Sequence, residues 1–146
     1  MVMVLDPMAS PAVVPPELFR TLLLPRLRQV MASLRTAGAA VTWLNIAGPT
    51  VPILRYYPEI GADLATFDYY VSPTEARRLL PFTCLAGNLK PLDFLAPSPE
   101  SLAAEARSLI AAFADRGGFI LSSGCEIPPE AGDSNVAALA EVVARG

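Results

Sequence analysis

The sequence contains no histidine among its 146 residues. Every mechanism that uses an imidazole as base, acid or metal ligand is therefore excluded within this polypeptide. Charge is scarce as well: Asp, Glu, Lys and Arg make up 17% of the chain, and the net charge is -3 without a run of Lys or Arg. Binding to a nucleic-acid backbone needs a basic patch, so we expect no nucleic-acid partner.

Long apolar segments are also missing. A membrane-spanning helix needs about 18 uninterrupted apolar residues, and proline, glycine or charge interrupts each candidate. Residues 1–5 are apolar, but they lack a basic lead and reach Asp6 and Pro7 too soon for a signal peptide. The sequence therefore predicts a cytoplasmic protein without a membrane partner.

Cysteine is rare, and its two positions, Cys84 and Cys125, fall in different predicted strand regions. Nothing in this spacing argues for a disulfide. Hydrophobic residues, by contrast, make up 53% of the chain, which supplies ample core and leaves apolar surface for a partner. We expect a single domain over residues 1–146, and an incomplete one.

Strand-like and helix-like segments alternate along the chain, a pattern typical of βα units on a parallel sheet. We predict five strands, at residues 2–5, 40–46, 64–67, 82–86 and 119–121. The first helix is expected over residues 16–36, with a kink near Thr21 caused by Pro25. Another helix is expected over residues 99–114 with Ser98 as its N-cap.

Three segments carry a family resemblance. Residues 117–129 read GGFILSSGCEIPP, residues 82–91 read FTCLAGNLKP, and DPMAS at residues 6–10 is followed by PELF at residues 16–19. The first resembles the last strand and loop of the uroporphyrinogen decarboxylase superfamily, in particular the cobamide-dependent methyltransferases, where a Ser-x-Gly-Cys-x-Ile-x-Pro loop supplies a thiolate to zinc. The second is similar to the family's Gly-Asn-x-Asp-Pro element, and the third to its central-strand loop.

The resemblance implies an α/β fold: a partial (β/α)8 barrel of about five parallel strands with flanking helices, matching the C-terminal half. A full barrel takes roughly 250 residues, so the resemblance implies that the N-terminal side is missing. A five-stranded curved sheet has two open edges and an uncovered interior. We therefore expect either a homodimer or a complementary N-terminal-half chain as partner.

In such barrels the functional groups lie at the carboxyl ends of the strands, where the βα loops meet. The resemblance thus gives two candidate catalytic residues, Cys125 and Asp68. The candidate ligand-binding residues at the same ends are Asp6, Asn45, Asn88, Lys90 and Glu126.

Each candidate also has a purely structural interpretation. Cys125 can be a small apolar residue in a tight loop. Asn88 can bond the loop backbone, and Asp6 and Asp68 can cap the helices that follow them. Lys90, which stands where the family has Asp, can bind a ligand carboxylate or phosphate or remain solvated.

Four tyrosines follow predicted strands as two adjacent pairs, Tyr56 with Tyr57 and Tyr69 with Tyr70. Aromatic pairs of this kind suit a flat ligand face or a protein interface.

Residues 42–48 resemble the strand on which the methyltransferase branch carries His-x-Cys-Gly. Asn45 stands in place of the His and Ala47 in place of the Cys. An amide oxygen is a poor zinc donor and a methyl group is none. We therefore expect no zinc site in this chain alone, with Cys125 a ligand only if a partner completes the site. Glu126 and Asp68 together are the other residues that could change this expectation.

Three functions remain open. The chain can be a methyl-transferring or decarboxylating enzyme subunit completed by a second chain. It can be a binding module for a corrinoid, a porphyrin or a corrinoid protein that has lost its metal, which the changes at Asn45 and Ala47 favour. It can also be a structural or degenerate subunit without a ligand.

Overall fold

Five parallel strands form one sheet in chain order, as predicted. The computed structural model describes residues 1–96, 98–115 and 117–145. The strands are β1 (Val2–Leu5), β2 (Thr42–Asn45), β3 (Leu64–Thr66), β4 (Cys84–Leu89) and β5 (Phe119–Ser123). Each strand pairs in parallel with the next, so β1 and β5 have a strand neighbour on one side only within the described residues.

Helices follow each strand. They are α1 (Pro16–Leu18), α2 (Leu24–Thr36), α3 (Val51–Leu54), α4 (Tyr57–Ile60), α5 (Pro73–Leu79), α6 (Glu100–Phe113) and α7 (Asp133–Arg145). Short 3-10 turns cover Pro7–Ala9 and Pro91–Leu95. No helix within residues 1–96, 98–115 or 117–145 has the length and apolar character needed to cross a bilayer.

The interruption expected in the first helix is present. A π-helical turn, Phe19–Leu23, joins α1 to α2 directly before Pro25. Proline has no N–H to donate to the carbonyl four residues earlier. The helix accommodates the missing bond with a wider turn that holds one extra residue. Gly38 closes α2 with a positive φ of 96°, the left-handed conformation that a glycine after a helix commonly adopts.

The two faces of the sheet differ in burial because side chains alternate along each strand. Leu44, Phe67 and Leu85 point into the main core beneath the helices and are fully buried. On the opposite, concave face, Leu5 and Ile120 remain 51% and 42% exposed. The concave face is the interior that a closed barrel would cover.

Several predicted boundaries differ from the structure: β2 begins at Thr42 rather than at residue 40, and β5 extends to Ser123 rather than to residue 121. Two further differences change the role of a named residue. β4 runs from Cys84 to Leu89, so Asn88 lies within the strand rather than in the loop that follows. Helix α6 begins at Glu100 after Pro99, which makes no side-chain cap hydrogen bond. Ser98, the expected N-cap, instead donates its hydroxyl to the Glu100 carboxylate.

The first tyrosine pair, Tyr56 and Tyr57, forms neither the ligand face nor the protein interface that the sequence suggested. Tyr57 is 1% exposed in the core, where burial raises the pKa of its phenol. Tyr56 stacks on Phe19 with ring centroids 6.2 Å apart. This pair therefore stabilises the fold and presents no open aromatic surface.

A glycine allows the close approach of β4 to β3. Gly87 has a φ of +151°, and a Cβ added there would lie 2.4 Å from the Phe67 carbonyl oxygen. We expect Gly87→Ala to lower the free energy of unfolding by about 3 kcal/mol. The control is Gly61→Ala, where φ is +80° but no atom lies within 4 Å, and which should cost about 1 kcal/mol. Equal urea midpoints for Gly87→Ala and Gly61→Ala would show that the close approach of the Phe67 carbonyl is not what requires glycine at residue 87.

Asp63 links α2 to the start of β2. Its carboxylate accepts from Arg35 Nη2 at 2.8 Å and from the Thr42 backbone N–H at 2.8 Å. The Arg35 hydrogen bond, followed by that of Thr42, lowers the pKa of Asp63 below its ordinary value of 3.8. Its contribution to stability is therefore present above that value and is lost as the pH falls through the lower folded-state pKa.

We expect Asp63→Asn to reduce the free energy of unfolding by about 1 kcal/mol at pH 7. Urea unfolding should show the difference from wild type shrinking as the pH drops below about 4. The control is Asp115→Asn, since the Asp115 side chain is 72% exposed in its ion pair with Arg77, and this change should have little effect. A difference that persists undiminished at pH 2.5 would rule out the ionised carboxylate as its cause.

Candidate functional site

Two adjoining cavities open at the carboxyl ends of the strands. The rim cavity has a volume of about 420 Å³, and the inner cavity, on the concave face, about 530 Å³. Both are lined by Pro7, Ala47, Cys125 and Glu126. The rim cavity is lined further by Ser10, Ala12, Val13, Gly48, Asp68, Tyr69, Tyr70, Pro91 and Leu92. The inner cavity is lined further by Met3, Leu5, Trp43, Asn45, Thr66, Ser122 and Ser123.

Cys125 stands between the two cavities. Its loop leaves β5 through Gly124, whose N–H donates to the Leu89 carbonyl at 2.8 Å. The Ser123 hydroxyl donates to the Cys125 carbonyl at 2.6 Å. The thiol is free and half-buried, so it is held in position while remaining accessible to a ligand in either cavity.

Asp68 is 3% exposed. Its Oδ2 accepts from the Gly48 N–H at 2.7 Å, and its Oδ1 accepts from the Tyr70 N–H at 3.4 Å. The carboxylate thus joins the loop after β2 to the loop after β3. Asp68 lines the rim cavity, and both of its carboxylate oxygens accept hydrogen bonds from backbone N–H groups. It does not cap the helix that follows, because Ser72 caps that helix.

Asn88 is 6% exposed and faces the neighbouring loop. Its Nδ2 donates to the Val71 carbonyl at 2.8 Å and to the Asp68 carbonyl at 3.4 Å. This is the backbone role expected as the alternative to ligand binding, although the bonds go to the loop after β3 and not to its own loop.

The other candidates differ in what their side chains do. Asp6 Oδ1 accepts from the Ala9 N–H at 3.2 Å and so caps the first 3-10 turn. Lys90 lies at the start of the 3-10 turn after β4, with its ammonium 5.8 Å from the Tyr69 ring centroid. Glu126 is exposed and lines both cavities.

Asn45 and Trp43 lie two residues apart on β2, so both side chains face the inner cavity. The Trp43 indole donates to Thr66 Oγ1 at 2.8 Å. Asn45 Oδ1 is buried, and no described residue donates a hydrogen bond to it. Trp43 was missed as a site residue, although its alternation with Asn45 was a usable signal.

Tyr69 and Tyr70 form an open aromatic surface beside the rim cavity. They are 37% and 58% exposed, and their ring centroids lie 4.3 Å apart with 29° between the planes. A side-chain hydrogen bond with Tyr70, followed by desolvation, raises the pKa of Tyr69 to about 12. The pair is exposed after β3, so it is available to a flat ligand or to a protein partner.

The residues present do not fit a zinc site. The sequence has no histidine, and no group of three or more Cys, Asp or Glu suited to a metal ion occurs within residues 1–96, 98–115 and 117–145. Asn45 offers an amide and Ala47 a methyl group where the resemblance would place two zinc ligands.

A larger cavity of about 620 Å³ lies on the outer side, between α6 and α7. Ala103, Ile110, Ala138 and Val142 form much of its lining, with Arg107 and Glu141 among its charged residues. It is remote from the strand ends and brings together none of the candidate residues, so size alone does not make it the functional site.

Comparison with known proteins gives a consistent assignment. The family model for Uroporphyrinogen decarboxylase (URO-D) matches residues 1–146. The chain is 29% identical over 128 residues to the uroporphyrinogen decarboxylase of Thermus thermophilus, covering 88% of this chain and 37% of that protein. It is 34% identical over 135 residues to the enzyme of Nocardia farcinica, again covering 88% and 37%.

A methyltransferase from Methanosarcina mazei has the same fold, with a TM-score of 0.86 and 28% identity over 98% of this chain and 41% of that one. The chain thus spans about two fifths of the length of these relatives, and its five-stranded sheet is a partial barrel of their type. The resemblance inferred from the three sequence segments is confirmed: the chain belongs to the uroporphyrinogen decarboxylase family.

Proposed function

We propose that this chain binds a tetrapyrrole or corrinoid, free or carried by a corrinoid protein, at the rim formed by the carboxyl ends of its strands. The observation that carries the proposal is the convergence of Cys125, Glu126, Asn45 and the Tyr69–Tyr70 pair on two adjoining cavities. Their lining is mostly apolar with a few polar groups, which is the usual composition of a cofactor site.

The charges around the rim favour a ligand whose outer substituents are uncharged. The rim cavity is lined by two carboxylates, Asp68 and Glu126. They outnumber the neighbouring cation Lys90, which does not line the cavity and whose ammonium lies 5.8 Å from the Tyr69 ring centroid. Carboxylate groups on a porphyrin would meet like charge in this chain. The amide groups around a corrin ring would instead find hydrogen-bonding partners without repulsion, so a corrinoid is the better match.

The proposal includes a second half that closes the barrel on this chain. β1 and β5 each pair on one side only in the described sheet, and concave-face side chains such as Leu5 and Ile120 remain exposed. An eight-stranded barrel would bury both edges and this face. Either a second copy or a complementary N-terminal half, in the same or another polypeptide, would supply the cover.

An enzyme subunit for methyl transfer or decarboxylation is the second candidate, because the half-buried Cys125 thiol lines both cavities. Asp68, the other predicted catalytic residue, has both carboxylate oxygens engaged by backbone N–H groups. This arrangement favours binding over independent catalysis. A structural subunit without a ligand is the third candidate, and a binding test separates it from the other two.

Trp43 is the single tryptophan of the chain and lines the inner cavity, so its fluorescence reports on the site. We expect hydroxocobalamin to quench Trp43 emission saturably. Coproporphyrin, which carries four carboxylates, should bind more weakly at low salt, and the difference should narrow as salt screens the repulsion. N-acetyltryptophanamide titrated in parallel corrects for light absorption by the ligand. Non-saturable quenching by both ligands would refute the binding function.

Light scattering coupled to size exclusion tests the need for completion. We expect the purified chain to elute as a dimer or larger species, because exposed sheet edges and an uncovered apolar face favour association. Co-expression with the first three βα units of a family relative should yield a one-to-one complex if a complementary half is the natural cover. A monodisperse, cooperatively folded monomer of the single chain would contradict the need for a second copy or a complementary half.

A further inference from the structure

The Tyr69–Tyr70 pair is unusual for an exposed loop because its backbone is firmly fixed. The Asp68 carboxylate accepts from the Gly48 and Tyr70 N–H groups, and the Val71 N–H donates to the Asp68 carbonyl at 2.9 Å. Asn88 donates to the Val71 carbonyl from β4. Buried polar groups of three neighbouring loops and strands therefore hold a segment whose own side chains lie open to solvent.

The loop of Cys125 closes on the same segment. A Cβ added at Gly124 would lie 3.0 Å from the Tyr69 nitrogen and 3.1 Å from the Asp68 Cα. The backbone of β5's loop thus rests directly against that of the tyrosine pair. The aromatic surface and the thiol loop behave as one rigid wall of the rim cavity, so little ordering remains to be done when a ligand binds.

The rings themselves are suited to a flat, conjugated partner. They stack at 4.3 Å and remain 37% and 58% exposed beside a concave cavity. Aromatic rings prefer offset stacking or edge-to-face contacts with other π-systems. Tyrosine phenols are neutral at physiological pH, so neither ring adds charge to the contact.

We propose that the Tyr69–Tyr70 pair is the surface against which the conjugated ring of the ligand packs. The inference rests on the proposed binding of a corrinoid or tetrapyrrole and names the contact that the ring makes. A protein partner is the less suitable occupant, since the pair borders a cavity of about 420 Å³ rather than a flat patch.

The test is a hydroxocobalamin titration followed by Trp43 fluorescence on four forms of the full chain. The double variant Tyr69→Leu with Tyr70→Leu removes both rings, and Tyr69→Phe with Tyr70→Phe keeps the rings but removes the hydroxyls. Phe82→Leu is the matched control, because Phe82 is 99% exposed and precedes β4 at the opposite end of the sheet.

We expect the double Leu variant to bind at least about tenfold more weakly, the size of effect that stacking on an aromatic side chain produces. The double Phe variant and Phe82→Leu should stay within about twofold of wild type. Unchanged affinity of the double Leu variant, or an equal loss in the double Phe variant, would overturn the ring contact while leaving the binding function intact. Absence of binding to wild type would overturn both.

Hydroxyl-radical footprinting of the unaltered chain provides a second readout that needs no substitution. Saturating hydroxocobalamin should protect Tyr69 and Tyr70 from oxidation, as mapped by peptide mass. Tyr56, packed on Phe19 away from the rim, is the internal reference and should react at the same rate with and without ligand. Equal protection of the three tyrosines, or none at Tyr69 and Tyr70, would refute the contact.

Discussion

The buried carboxylate of Asp68 is the contact on which the geometry of the rim depends. It lies at the end of β3, and through the Gly48 N–H it holds the loop after β2 at a distance of 2.7 Å. Its own carbonyl accepts from the Val71 N–H and from Asn88. A buried polar group is tolerated only when it is hydrogen-bonded, so the hydrogen bonds that satisfy the Asp68 side chain also lock these loops together.

The parallel βα units could be predicted because the alternation of short apolar runs and helical segments is local information, whereas the partial barrel was predicted from the family resemblance. The extent of β4 could not be predicted from the sequence, because Gly87-Asn88 has the composition of a turn. Its actual role is tertiary: Gly87 leaves room for the Phe67 carbonyl, and Asn88 supplies donors to carbonyls of another loop. Such contacts depend on which strands are neighbours, which the pattern of a single strand does not contain.

The candidate site was predictable to the same degree. The rule that functional groups gather at the carboxyl ends of parallel strands brought Cys125, Glu126 and Asn45 to adjoining cavities. It did not separate residues that face a ligand from those that serve the backbone, since Asp6 and Asn88 end up bonded to main-chain groups. That distinction depends on how closely the loops approach one another, which packing determines.

The absence of a metal-ligand set has a physical consequence for how the rim is maintained. In a metal centre the ion itself can hold loops from different strands together. Here Asn45 and Ala47 provide no such linkage, whereas the Asp68 and Asn88 hydrogen bonds and the close contact at Gly124 join the same loops without it. Contacts within this chain alone therefore position the loops of the rim, and they leave a preformed surface at the carboxyl ends of the strands.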